Sequence, residues 1–125
     1  RQRQRGISDR HRLNNFTGTF PTVDSAEDGW AGTCPVDAFA PNGYGLFNCS
    51  GNVWEWTSDW FGTDHGDPDA APRTDPIGTP LGVGRVVKGG SHLCHDSYCH
   101  RYRIAARTSS PPDSSAGNQG FRLAR

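Results

Sequence analysis

Residues that bend the backbone interrupt this chain so often that long regular elements cannot run through most of it. From Asn14 to Tyr44 the stretches "TGTFP", "EDGW" and "PNGYG" each supply glycine, proline or asparagine where a turn needs it, so any strand there must be short. Residues 62 to 83, "GTDHGDPDAAPRTDPIGTPLGV", read as a surface excursion rich in Asp, Pro and Gly, and as the best place for a mobile loop. Over the whole chain, 16 glycines and 9 prolines stand beside an apolar fraction of 33%. That balance argues against a helical bundle and for a loop-rich domain. Disorder is the weaker alternative, because four tryptophans can supply core area where aliphatic side chains are scarce. At 125 residues the chain has room for one domain with a modest core.

Extended structure is predicted at three places. In "GLFNCSGNVWEWTSDWF", Val53, Glu55 and Thr57 alternate with Trp54 and Trp56, a period of two that predicts a strand with one aromatic face. "GRVVKGGS" and the terminal "GFRLAR" predict short strands, the second with Phe121 and Leu123 on one face and Arg122 on the other. Residues 1 to 13 are polar and arginine-rich and read as a solvated arm or a scar of truncation. The absence of methionine, even at position 1, suggests a processed chain or a fragment.

With 13 basic and 13 acidic side chains, no excess of positive charge points to nucleic acid or to an anionic membrane. Arginines gather towards the two ends and acids in the middle. No apolar run approaches a membrane span and no charged-then-apolar leader opens the chain, which reads as soluble.

Reactive groups concentrate in "GGSHLCHDSYCHRYRIAARTSS", where Cys94 and Cys99 stand among His92, His95, His100, Arg101, Arg103 and Arg107. Five residues apart, the two cysteines would face opposite sides of a straight strand, so a bend in "CHDSYC" is needed to bring their sulfurs together. A disulfide would need α-carbons within about 7 Å and an oxidising compartment, and closing so small a loop gains little chain entropy. Zinc takes thiolate and imidazole, yet Cys-x4-Cys with scattered histidines lacks two tight ligand pairs. A copper or redox role is the third chemistry, and spacing alone leaves all three open. A second kind of constellation consists of oxygens. Asn48, Gly51, Val53 and Glu55 could turn two side-chain and two main-chain oxygens to one point, and Asn14 and Asp28 with neighbouring carbonyls offer a similar mixture. Neither matches an EF-hand, and ordinary turn residues are the competing account.

The stretches "EDGWAGTCPVDAFAPNGYGLFNCSGNVWEWTSDW", "RVVKGGSHLCHDSYCHRYRIAARTSSPPDSSAGNQGFRLAR" and "TGTFP", with the spacing that joins them, closely resemble the C-terminal part of the formylglycine-generating enzymes, the sulfatase-modifying factors. The resemblance runs from residue 14 to residue 125 and implies the C-terminal part of one such domain. It implies an irregular, loop-rich α+β fold of the C-type-lectin-like kind, with little regular secondary structure. It also implies a copper-dependent oxidoreductase that uses O2 to convert a cysteine, in a Cys-x-Pro-x-Arg segment of an unfolded sulfatase, to Cα-formylglycine. By position, Cys94 and Cys99 would bind Cu(I) and, through it, the substrate thiolate, while Ser91 and Trp54 would line the oxygen and substrate pocket. Softness agrees, because Cu(I) favours thiolates. Arg101, Arg103, Arg107 and His95 would help keep the thiols deprotonated, and the sulfurs are expected on the floor of an open cleft.

Residue by residue, Asn14, the Asn15 carbonyl, Asp28 and the Trp30 carbonyl resemble one calcium site of the family, and Asn48, the Gly51 and Val53 carbonyls and Glu55 the other. Ca2+ would there stabilise the fold. Ile104 and Leu123 stand where the lumenal animal enzymes carry structural cysteines, so the chain resembles the disulfide-poor bacterial branch and a bacterial cytoplasm is the expected compartment. Cys34 and Cys49 fall outside the reactive positions and are expected as buried free thiols, while Asp96 and His100 change the local charge from the commoner pattern. The N-terminal half that builds part of the substrate groove in the family is expected from elsewhere. A non-catalytic, lectin-like binding module is the alternative, and the intact cysteine pair favours the enzyme.

Overall fold

The computed structural model describes residues 12–63, 71 and 74–123. Six strands form: β1 (Gly18–Thr19), β2 (Val23–Asp24), β3 (Trp54–Trp60), β4 (Arg85–Lys88), β5 (Thr108–Ser110) and β6 (Gln119–Gly120). β1 and β2 pair as an antiparallel hairpin, and the other four make one sheet in the order β5-β4-β3-β6. Within it β4 runs antiparallel to both β3 and β5, whereas β6 runs parallel to β3.

The α+β, C-type-lectin-like expectation is overturned, because the described residues contain no helix at all and hence none able to cross a membrane. The physical reason is the density of turn formers. A helix must bury an apolar face over several uninterrupted turns to offset its nucleation cost, and glycine or proline intervenes first.

The alternation at Val53–Thr57 places the longest strand, and β4 lies against it with Trp56 opposite Val87. Val86 and Val87 are buried, and with Phe16, Cys34, Cys94 and Cys99 they form a small core in which three of six residues carry thiols. The β3–β4 register slips between Trp56 and Trp60, and Trp60 then faces Arg85, whose guanidinium carbon sits 3.7 Å from the ring centroid.

Loops replace strands elsewhere by borrowing side chains for their backbone groups. Buried Asn52 is the clearest case. Its Oδ1 accepts from the Cys34 N–H (2.9 Å) and from Asn14 Nδ2 (3.2 Å), and its Nδ2 donates to the Cys34 carbonyl (3.2 Å). Its own N–H donates to the Asn14 carbonyl (2.7 Å) and its carbonyl accepts from His92 N–H (2.8 Å). One asparagine thereby ties three distant segments together and satisfies buried polar groups that a regular sheet would otherwise pair.

One further expectation needs correction. Among the described residues of "GFRLAR" only Gly120 belongs to a strand: pairing ends there, Phe121 and Leu123 are exposed, and Arg122 turns back to the Glu55 carboxylate and the Phe47 carbonyl. The charged contact wins over a two-residue extension of the sheet. The arginine-rich arm, up to residue 11, and residues 64–70, 72 and 73 of the excursion lie outside the described residues.

Candidate active site

β4 ends in Lys88, and the chain turns through Gly89 and Gly90, both at positive φ, into the segment that carries Ser91, Cys94 and Cys99. Cys94 N–H donates to the Ser91 carbonyl (2.9 Å), and the N–H groups of Tyr98 and Cys99 both donate to the His95 carbonyl (3.2 and 2.8 Å). "CHDSYC" therefore closes as a single turn, and the Tyr98 hydroxyl straps it by donating to the Leu93 carbonyl (2.8 Å). From outside, Phe16 N–H donates to the Cys94 carbonyl (3.1 Å).

That turn sets the two Sγ atoms 2.7 Å apart, both thiols free and both buried, at 2% and 5% exposure. Burial, and next the hydrogen bond with Cys99, push the Cys94 thiol up to about 12, while contacts with Ser91 act in the opposite sense. The expected deprotonation by nearby cations is thus not met at Cys94. Arg101 and Arg103 are exposed, Arg107 lies over the Phe61 ring at 5.2 Å, and desolvation of the sulfur dominates. A group in this state holds its proton at neutral pH until a soft cation takes the proton's place.

Ser91 is 1% exposed, and its hydroxyl oxygen accepts from Asn118 Nδ2 (3.0 Å) and from Leu93 N–H (3.3 Å). Both contacts engage the hydroxyl oxygen as an acceptor and fix its place beside the cysteine turn. Trp54 joins the same network through its backbone, its N–H donating to the Asn118 carbonyl (2.7 Å). Asn118 links Ser91 to Trp54, and no spacing or periodicity in the sequence marks it. Two cavities of about 560 and 480 Å3 lie nearby, the second against His95 and Phe16, and the sulfurs line neither.

The oxygen sets can be tested against a hard cation. Asn14 is fully buried and its amide nitrogen donates to the Gly32 carbonyl (2.7 Å) and to Asn52, while no protein donor reaches its Oδ1. Asp28, also buried, receives the N–H groups of Asn15 (3.0 Å) and Trp30 (3.0 Å), which draws both backbone segments to its carboxylate. Asn48 repeats the pattern. Its Nδ2 donates to the Pro35 and Val36 carbonyls (3.1 and 3.0 Å) and its buried Oδ1 has no donor. A buried carboxamide oxygen without a donor is costly unless something positive faces it, so each set has the chemistry of an oxygen-ligand cation site. They differ in their carboxylates, since both oxygens of Glu55 are bound by Arg122. Among the described residues no three His, Cys, Asp or Glu side chains cluster as a metal site, so each set would rely on one carboxylate with amide and carbonyl oxygens.

Of the other two thiols, Cys34 is buried and free, as expected, but Cys49 is exposed and lines the 560 Å3 cavity. The loop Asn42–Leu46 closes on itself through the Asn42 side chain and leaves Cys49 at its edge.

Residues 2–125 match the model of the sulfatase-modifying factor enzyme 1-like domain. The chain belongs to that family. It is 60% identical over 116 residues to a formylglycine-generating enzyme of Thermomonospora curvata, covering 92% of this chain and 38% of that protein. It is 56% identical over 115 residues to one of Streptomyces coelicolor, covering 92% of this chain and 36% of that protein. The chain thus spans well under half the length of these relatives. Among solved structures, Treponema denticola variable protein 1 superposes with a TM-score of 0.68 at 26% identity, over 93% of this chain and 36% of that one.

Proposed function

We propose that this chain carries the thiol pair of a formylglycine-generating enzyme, oxidising the cysteine of a Cys-x-Pro-x-Arg segment in an unfolded sulfatase. The observation that carries the proposal is the meeting of Cys94 and Cys99 at 2.7 Å in a family whose similar members bear that activity in their names. Cu(I) fits two adjacent sulfurs by softness, and when bound it supplies the one-electron chemistry that O2 requires. The chain's own residues do the rest. Cys94 and Cys99 would hold the ion, and Asn118 fixes Ser91 with respect to the Trp54 backbone. Turning a cysteine CH2SH into an aldehyde takes up one water, expels sulfide and releases two electrons. O2 accepts four on reduction to water, so external thiols must provide the other two by forming a disulfide.

The chain would contribute residues 14–125 of the domain, with a further segment completing the substrate groove. Exposed apolar side chains such as Val36, Tyr44 and Ile104 support that incompleteness. Free thiols suit a reducing bacterial cytoplasm. A Cys-x-Pro-x-Arg peptide given to copper-loaded protein of the relatives' length, with O2 and excess thiol, should lose its thiol and gain an aldehyde that a hydrazide captures. Serine in place of the peptide cysteine should stop the reaction. If no peptide thiol is consumed, the enzyme reading falls and a non-catalytic member of the family remains.

Ca2+ is assigned in this reading to the set of Asn14, Asn15, Asp28 and Trp30 and to that of Asn48, Gly51, Val53 and Glu55. A ligand at a hundredfold excess over its Kd stabilises the folded state by about 2.7 kcal/mol. Chelation of a calcium-loaded sample should accordingly lower Tm by about 10 °C, and Asn14→Ala should remove the share of that response that belongs to its own set. An identical melting curve with and without chelator would remove calcium from both sets.

A further inference from the structure

The hairpin of β1 and β2 has no part in the chemistry above, yet it presents an aromatic ring to the cysteine loop. Phe20 lies at its tip, in the "TGTFP" stretch. The tip is closed by a hydrogen bond from Thr22 N–H to the Thr19 carbonyl (2.9 Å), and its base by one from Ser25 N–H to the Thr17 carbonyl (2.8 Å). The Asp24 carboxylate adds bonds from the N–H groups of Thr17 and Ala26 (3.2 and 3.1 Å). At Gly18, φ is +99° and a Cβ would come within 2.6 Å of the Val23 carbonyl oxygen, so only glycine lets the two strands approach this closely.

Both ring-bearing residues between the two cysteines stack on Phe20. Tyr98 lies at 4.2 Å between centroids with planes 21° apart, and His95 at 5.9 Å with planes 16° apart. Buried Phe16 meets Phe20 edge-on at 5.2 Å and His95 edge-on at 5.9 Å, and its N–H holds the Cys94 carbonyl. Two rings from outside the turn, Phe16 and Phe20, thus meet the two rings within it.

The geometry points to Phe20 as a positioning residue for the thiol pair: by fixing His95 and Tyr98 it holds the turn in the shape that brings the Cys94 and Cys99 sulfurs together. A flexible hexapeptide would sample that shape only part of the time, and the stacks prepay the entropy of holding it. The inference concerns the pairing of the sulfurs and stands whether they serve copper or only one another.

The effective concentration of the pair measures this pairing directly. In equilibrium with glutathione, the two thiols pass two electrons and two protons to one glutathione disulfide, giving the Cys94–Cys99 bond and two glutathione thiols. Peptide mapping after thiol trapping, in a Cys49→Ser background, isolates this pair from the exposed thiol. Phe20→Leu, which keeps apolar bulk and removes the stacks, should lower the equilibrium constant about tenfold, while Phe20→Tyr should stay within about twofold of the parent. Val86→Ala, in β4, should lower Tm and leave the constant alone. Tyr98 is half exposed, so substitutions there test the loop side without threatening the core: Tyr98→Leu should lower the constant more than Tyr98→Phe, which keeps the ring and loses only the hydroxyl bond. A constant unchanged by Phe20→Leu, an equal change from Val86→Ala, or equal effects of the two Tyr98 substitutions would overturn the inference.

Discussion

Replacing either Cys94 or Cys99 with alanine should reduce Cu(I) uptake from about one ion per chain to none when the protein competes with a colorimetric Cu(I) chelator. The loss should be nearly complete from a single substitution because the affinity resides in the pair. Two sulfurs already side by side bind one soft ion as a chelate, whereas one buried sulfur left alone offers a single ligand. The other thiols are poor substitutes. Cys34 is buried with the Asn48 amide 3.7 Å away, and Cys49 stands at the edge of a separate cavity. Cys34→Ala and Cys49→Ala should therefore retain uptake. Copper binding of undiminished strength after both Cys94→Ala and Cys99→Ala would place the ion elsewhere and remove the basis of the proposed chemistry.

Among the described glycines, Gly51→Ala should be the most damaging replacement by alanine. Gly51 has φ +76°, a conformation that costs other residues about 1–3 kcal/mol. Its Cβ would also run into the backbone carbonyl of Asn14, which is fully buried and already accepts the Asn52 N–H. Neither backbone can yield without breaking the Asn52 connections that join three segments. Strain and clash together should cost about 3 kcal/mol or more, and Tm should fall by about 10–15 °C. Gly43→Ala provides the control, since a Cβ there meets nothing within 4 Å and Gly43 has no positive φ; it should be near neutral. A Tm for Gly51→Ala within about 4 °C of the parent would mean that the Asn14 segment is not held where it is described. Because Gly51 separates Asn48 from Val53 and abuts Asn14, the same substitution should also weaken the response to calcium chelation.

Local features of this protein were legible in its residues. Alternation from Val53 to Thr57 announced β3, the paired valines announced β4, and the density of glycine and proline announced short elements joined by long loops. The motif around Cys94 and Cys99 identified the family, and the need for a bend between them followed from their separation alone. Such features depend on neighbours in sequence, so a single chain displays them.

The tertiary structure decided what depends on residues far apart. A helical component, expected from resemblance to proteins of which the chain spans little more than a third, is absent among the described residues. Past Gly120 the described residues leave the sheet, where Arg122 finds Glu55, 67 positions away. Cys49 is exposed and burial pushes the Cys94 thiol up rather than down, both against expectation, because burial is a property of surroundings rather than of sequence neighbours. Asn118 reaches Ser91 across 27 positions, and Phe20 meets Tyr98 only because the hairpin folds over the cysteine loop. Composition and periodicity constrain which local conformations are possible; desolvation, ring stacking and long-range hydrogen bonds then select among them through distances that exist only once the chain has folded.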